Sequence, residues 1–199
     1  MDYHWSSTTL VVEGDFLAAS TGVGGGISRV SALFNHTVPR DWHEPDPLSR
    51  ICEIARNEQI KGSFFGLLTA VPIHSLVICR SGPLTVFITA GISGRTINII
   101  AVSREGMSEN ALLESIATIA SAKTAALLRS GRDLLSTPTD ATIMACEGPL
   151  VHRYAGIVTP VGKELVKCVE RGVPLALARY EGGAESPLEW EMETGDRER

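Results

Sequence analysis

Seven short apolar runs, none longer than eight residues, punctuate the chain between residues 8 and 102. They cover 8–12, 16–20, 31–38, 63–70, 75–79, 84–90 and 96–102. Runs of this length, rich in Val, Ile, Leu and Thr and bounded by glycine, proline and polar clusters, are strands rather than helices. The "EGD" between the first two predicts a hairpin turned at Gly14, and "SGP" before Leu84 predicts another turn. So many strands in succession commit the chain to a sheet, most simply a meander of neighbours.

Three stretches read as helices. Asp46 is a good N-cap and Pro47 a good first residue for a helix to about Glu58. Ser108 caps a second that runs to Arg129 and is stopped by Gly131. Thr159 and Pro160 open a third, which Gly172 and Pro174 are expected to bend or interrupt before Tyr180. A strand over 140–147 lies between the second and third. The class implied is α+β, a single domain with a mainly antiparallel or mixed β-sheet packed against α-helices. That domain is expected over 1–181. Residues 182–199, acidic and bearing glycine and proline, are expected to be a disordered tail.

The middle helix carries an anomaly. At about 100° per residue, Leu112, Ile116, Ile119, Ala126 and Leu127 form one apolar stripe, and Lys123 falls in its centre. Glu114, Thr118, Ser121 and Arg129 take the other face. A lysine so placed must snorkel to an edge or find a carboxylate or a ligand, because an unpaired buried ammonium costs several kcal/mol, roughly.

Composition narrows the partners. A net charge of -5 and a pI near 5.6 give a field that repels nucleic acid and anionic membrane surfaces. The four cysteines are far apart with no C-x-x-C, and read as reduced residues of a cytoplasmic protein. The start "MDYHWSSTT" has no signal-peptide pattern, and no uninterrupted apolar stretch suits a bilayer. The expectation is therefore a soluble chain with neither nucleic acid nor membrane as partner. Homo-oligomerisation is left open.

Several motifs fail. Gly22 and Gly24 are followed by Ile27 where a dinucleotide fingerprint needs glycine, "VGKEL" is no phosphate loop, and "GISG" is no nucleophile elbow. His36, Asp41, His43, Glu44 and Asp46 fit no standard metal spacing, so no metal site is expected. One cluster stays in play. In "LLSTPTDATIMACEG", Ser136, Thr137, Thr139 and Asp140 crowd the entrance to an apolar strand, as ordinary turn chemistry or as a site.

Taken together, "ST" with the glycine cluster at 20–26, "NHTVP" at Asn35, "DP" at Asp46, "GLLTA" at Gly66, "TAGIS" at Thr89, "TINII" at Thr96, "AKTAAL" at Ala122, "TPTDA" at Thr137 and "YAGIVTPVG" at Tyr154 resemble the adenosylcobinamide amidohydrolase family. The resemblance runs over about residues 10–180. Two loops depart from it: Gly94 and Arg95 stand where the family has a longer segment, and Pro138 replaces a glycine. The resemblance implies hydrolysis of the amide joining aminopropanol to the corrin ring, giving adenosylcobyric acid for corrinoid salvage. A small-molecule corrinoid is then the substrate, and no cofactor is implied. The D-x-H-x-x-G signature that lends a histidine to cobalt is absent, since "DYHWSS" ends in serine.

Amide cleavage needs an activated water or nucleophile, donors for the oxyanion and an acid for the departing amine. Asp140, His36, Lys123 and Thr139 are the catalytic candidates. Asp140 either caps its turn or serves as base or acid, with Lys123 as its natural partner. A neighbouring ammonium would make it a poorer base, leaving proton transfer to His36 unless that residue merely ends its strand. Ser20, Thr21, Gly24, Gly25, Asn35, Thr89, Asn98 and Thr137 are the substrate-binding candidates. Asn98 interrupts an apolar run, so it bonds a neighbouring loop or reaches a ligand amide. The glycine loop either brings backbone donors to a flat amide-fringed ring or simply turns the chain. A corrinoid-binding module without catalysis and an amidase for another small amide are the rival readings.

Overall fold

The computed structural model describes residues 1–93 and 96–192. Strands β1 (Asp2–Trp5), β2 (Thr9–Ser20) and β3 (Gly26–Thr37) are followed by helix α1 (Pro47–Asn57) and β4 (Phe64–Thr69). A 3₁₀ turn at Ile73–Ser75 leads to β5 (Val77–Ser81), β6 (Leu84–Gly91), β7 (Thr96–Ser103) and the short β8 (Gly106–Met107). Helix α2 (Glu109–Arg129), β9 (Ala141–Cys146), β10 (Leu150–His152), α3 (Pro160–Glu181) and β11 (Leu188–Glu191) complete the order. The α+β expectation holds, with a mixed sheet.

Nine strands form one sheet in the order β11-β5-β6-β7-β9-β2-β3-β4, with β1 beside β2. The expected meander of neighbours forms in two separate pieces, β1-β2-β3 and β5-β6-β7. Elsewhere β3 pairs with β4, and β7 with β9, in parallel. A parallel pair needs a crossover, and α1 and α2 supply one each. Both helices start as their sequences predict. The Asp46 side chain accepts the Ser49 amide, and the Ser108 hydroxyl accepts the Ala111 amide.

The sheet curls strongly. In a flat sheet β7 and β4 would stand about 19 Å apart. Instead, Asn98 Nδ2 on β7 donates to the Leu68 carbonyl on β4 at 2.9 Å. The concave face encloses a core made by strands and the 3₁₀ turn, including Phe16, Leu33, Leu67, Phe87, Ile100 and Ile143. On the convex face α2 and α3 cover the β5 to β9 half, and α1 covers Val11 and Phe34. Cys79 and Cys168 meet between β5 and α3, their sulfurs 3.2 Å apart. The length and apolarity of α2 would suit a bilayer core, yet half of that stretch is buried in this fold.

Four expectations are corrected. The "EGD" segment is no hairpin: β2 runs through it, and one extra residue between Glu13 and Phe16 bulges against β3. Helix α3 is not interrupted at Pro174. Val169, Val173, Ala176 and Leu177 are buried on either side of it, at about 1.5–3 kcal/mol for each large apolar side chain, which outweighs one lost backbone bond. Thr118, placed on the polar face of α2, is buried because its hydroxyl donates to the Ala155 carbonyl at 3.1 Å. The expected tail contains β11, which pairs in parallel with β5 and is held by Arg80 Nη1 donating to Glu189 at 2.9 Å. Gly94 and Arg95, where the shortened loop is expected, and residues 193–199 lie outside the described residues.

Candidate active site

Where the strands of the curled sheet end together, a hollow of about 830 Å³ opens. Its wall is supplied by the ends of β2, β3, β4 and β6 and the beginnings of β7 and β9. The mouth of a curled sheet is a common place for a ligand. Asp140 stands on this wall with Thr139, Thr96, Ser93 and Thr21.

The Thr137 to Asp140 turn explains its own composition. The Asp140 carboxylate closes it by accepting the Thr137 amide at 3.1 Å and the Thr137 hydroxyl. It also accepts the Ile97 amide at the start of β7, at 2.7 Å, and the Lys123 ammonium. The lysine in the centre of the apolar stripe has therefore found a carboxylate. Both side chains are only 11 % exposed, so the attraction is poorly screened. Four donors occupy the two carboxylate oxygens. Turn chemistry and site coincide here. Thr139 faces Thr96, their hydroxyl oxygens 2.8 Å apart.

Asn35, Thr89 and Asn98 are also brought together, but behind the wall rather than on it. Asn35 Nδ2 donates to Thr89 Oγ1, and Asn98 Nδ2 donates to Asn35 Oδ1, both at 2.9 Å. Asn98 Oδ1 accepts the Ala141 amide at 3.2 Å, which anchors the residue next to Asp140. All three are buried, so their amides hold the wall and do not meet a ligand directly. Ser20 accepts the Gly22 amide at 3.1 Å inside the β2–β3 hairpin. Gly24 has φ +66°, and a Cβ on Gly25 would lie 2.3 Å from the Ser20 carbonyl oxygen, so these two glycines make the bend possible. The hairpin lines the hollow through Thr21, Gly22 and Val23, not through Gly24 or Gly25.

His36 is not at the mouth. It follows Phe34 on the convex face of β3, where its Nδ1 lies 2.7 Å from Thr9 Oγ1. The Thr9 hydroxyl donates to Glu58 at 2.5 Å, so it meets the imidazole as acceptor and Nδ1 carries the proton. Burial pushes the His36 pKa below its ordinary value, against the opposing pull of Glu58.

Sequence reasoning missed the loop after β3. Pro39, Arg40, Asp41 and Trp42 line the hollow, as do Leu67, Leu68, Thr69 and Ala70. A tryptophan amid charged loop residues is the available signal; of this loop only Asp41 and its acidic and histidine neighbours were weighed, as a metal cluster. Among the described residues no three His, Cys, Asp or Glu side chains converge as a metal site.

A family model described as adenosylcobinamide amidohydrolase matches residues 6–95 and 93–185. A protein of Methanosarcina mazei named adenosylcobinamide amidohydrolase is 41% identical over 195 residues, covering 89% of this chain and 98% of that one. A protein of the same name from Halobacterium salinarum is 28% identical over 199 residues, covering 85% of this chain and 84% of that one.

Proposed function

The chain belongs to the adenosylcobinamide amidohydrolase family, and from that premise we propose that the mouth of the curled sheet is where the amide is cleaved. The reaction is hydrolysis of the aminopropanol amide of adenosylcobinamide to adenosylcobyric acid, a step of corrinoid salvage. Water adds across the C–N bond: its oxygen joins the carbonyl carbon, one proton goes to the departing nitrogen, and the product is a carboxylate and an amine.

The observation that carries the reading is Asp140, an anchored carboxylate on the wall of a large hollow, beside the Thr96–Thr139 hydroxyl pair. To take a proton from water, Asp140 must release one of its four donors. The Thr137 hydroxyl is the one that can leave, because it turns about a single bond while the Ile97 and Thr137 amides are fixed by the backbone. Lys123 then stays paired and stabilises charge at the carboxylate. Thr139 and Thr96 orient the water, and Thr21 faces the same space. Buried Asn35, Asn98 and Thr89 keep the strand ends in register behind them.

The test is to incubate the protein with adenosylcobinamide and follow adenosylcobyric acid by mass spectrometry. Wild type is expected to form it. Asp140→Asn, which keeps the size but cannot take a proton and sets an NH2 against two of the four donors, should lose about a hundredfold or more in turnover in the fraction that circular dichroism shows to be folded. Full activity in that variant would remove Asp140 from the chemistry.

A further inference from the structure

Two of the three tryptophans are already occupied. Trp5 stacks on Tyr3 with ring centroids 6.2 Å apart, and the Arg171 guanidinium sits 5.9 Å from the Trp190 ring. Trp42 is different. Among the described residues its indole has neither a ring partner nor a hydrogen bond, and it lines the hollow. It is half-buried between exposed Asp41 and His43.

The hollow has two unlike walls. Thr96, Thr139 and Asp140 make one polar; Val23, Pro39, Trp42 and Pro47 give the other its apolar surface, with the charged Arg40 and Asp41 between Pro39 and Trp42. The apolar wall is held in place beforehand. The Val38 amide donates to the Thr69 carbonyl at 2.8 Å, the Trp42 amide donates to the Pro39 carbonyl at 3.0 Å, and Asp46 caps α1 just beyond. The loop backbone is thus held, and an indole turns about only two bonds, so it gives up little conformational freedom when a ligand lands on it.

Resting on the hydrolytic reading above, we propose that Trp42 determines specificity by seating the corrin macrocycle against the apolar wall. The ring is broad and conjugated, with axial ligands at its centre and an apolar methyl-bearing edge, and that edge suits contact with an indole. The aminopropanol arm then spans the hollow to Thr139 and Asp140. Trp42 holds the ring and takes no part in bond breaking.

Equilibrium dialysis with adenosylcobyric acid, which keeps the ring but lacks the aminopropanol amide, reads this contact without turnover. Trp42→Phe and Trp42→Leu both retain apolar bulk, so the fold survives in each. The phenyl variant should bind close to wild type, and the leucine variant about tenfold more weakly. With adenosylcobinamide, KM should rise by the same factor in Trp42→Leu while kcat stays within about twofold. Equal binding by wild type and Trp42→Leu overturns the proposal, as does a loss confined to kcat or no binding by wild type. If wild type binds the acid but does not hydrolyse adenosylcobinamide, the catalytic reading fails while the ring seat stands.

Discussion

Lys123 shows how far one residue can be followed from sequence alone. Its place on the apolar stripe left it to snorkel to an edge or to find a carboxylate or a ligand, and it has found Asp140, which Thr137 and Ile97 approach as well. His36 could not be placed the same way. Neighbouring residues in a strand point to opposite faces, so a motif holding both Asn35 and His36 puts one inside the curl and the other outside. Asn35 is inside, and His36 turns to Thr9 under α1. A pH dependence follows. Burial lowers the folded pKa of His36, so below about pH 6.5 the unfolded chain binds the proton first. Stability therefore falls with pH from that point until the folded state also takes the proton, and is unaffected above it. His36→Gln should flatten the acid side of a plot of Tm against pH between about pH 8 and pH 5, with catalytic rate retained. An unchanged slope would refute the linkage, and lost activity would return His36 to the chemistry.

The elements differ in how openly their sequences declare them. Helices α1 and α2 begin at the caps their sequences advertise, because a cap is a contact among a few consecutive residues. The bulge in β2 and the uninterrupted α3 are decided by what packs on them. The "YAGIVTPVG" motif is explained the same way. Glu114 on α2 accepts the Ala155 and Gly156 amides at 2.7 and 3.1 Å, and the Thr159 hydroxyl accepts the Gly162 amide at 3.0 Å. The turn lies so close to α3 that a Cβ on Gly162 would stand 2.1 Å from the Gly156 carbonyl oxygen. This motif is a clasp between helices, and none of its residues lines the hollow. Gly162→Ala should cost about 3 kcal/mol in urea unfolding while the folded fraction keeps its activity. A change below about 0.5 kcal/mol would mean that the clasp yields freely.

Across the whole molecule, the two ends of the chain close the sheet. Strand β1 pairs with the first part of β2 while β9 pairs with the last part, on either side of the bulge. Strand β11 covers the edge of β5, and Tyr3 donates to Glu189 at 3.0 Å, joining β1 to β11. Truncation after Gly183 would uncover β5, and an exposed edge invites pairing with other chains. Such a variant should lose about 2–4 kcal/mol and aggregate on concentration. An unaltered melting temperature by calorimetry, with no aggregation, would show that β11 is dispensable. Its acidic, glycine-flanked sequence hid it because the bonds that order it are made with β5, more than a hundred residues away. The longer strands, the helices, their caps, the α+β class and the anomaly of Lys123 were legible in the sequence, since each follows from short-range periodicity or from the cost of burying a charge, whereas the short β1, β8, β10 and β11 were not. The order of the strands, the curl that carries β7 to β4, and the meeting of the Trp42 loop with the Asp140 turn were decided only by the tertiary structure. Those depend on how a whole sheet twists to enclose apolar surface on one face, and no local stretch of chain contains that information.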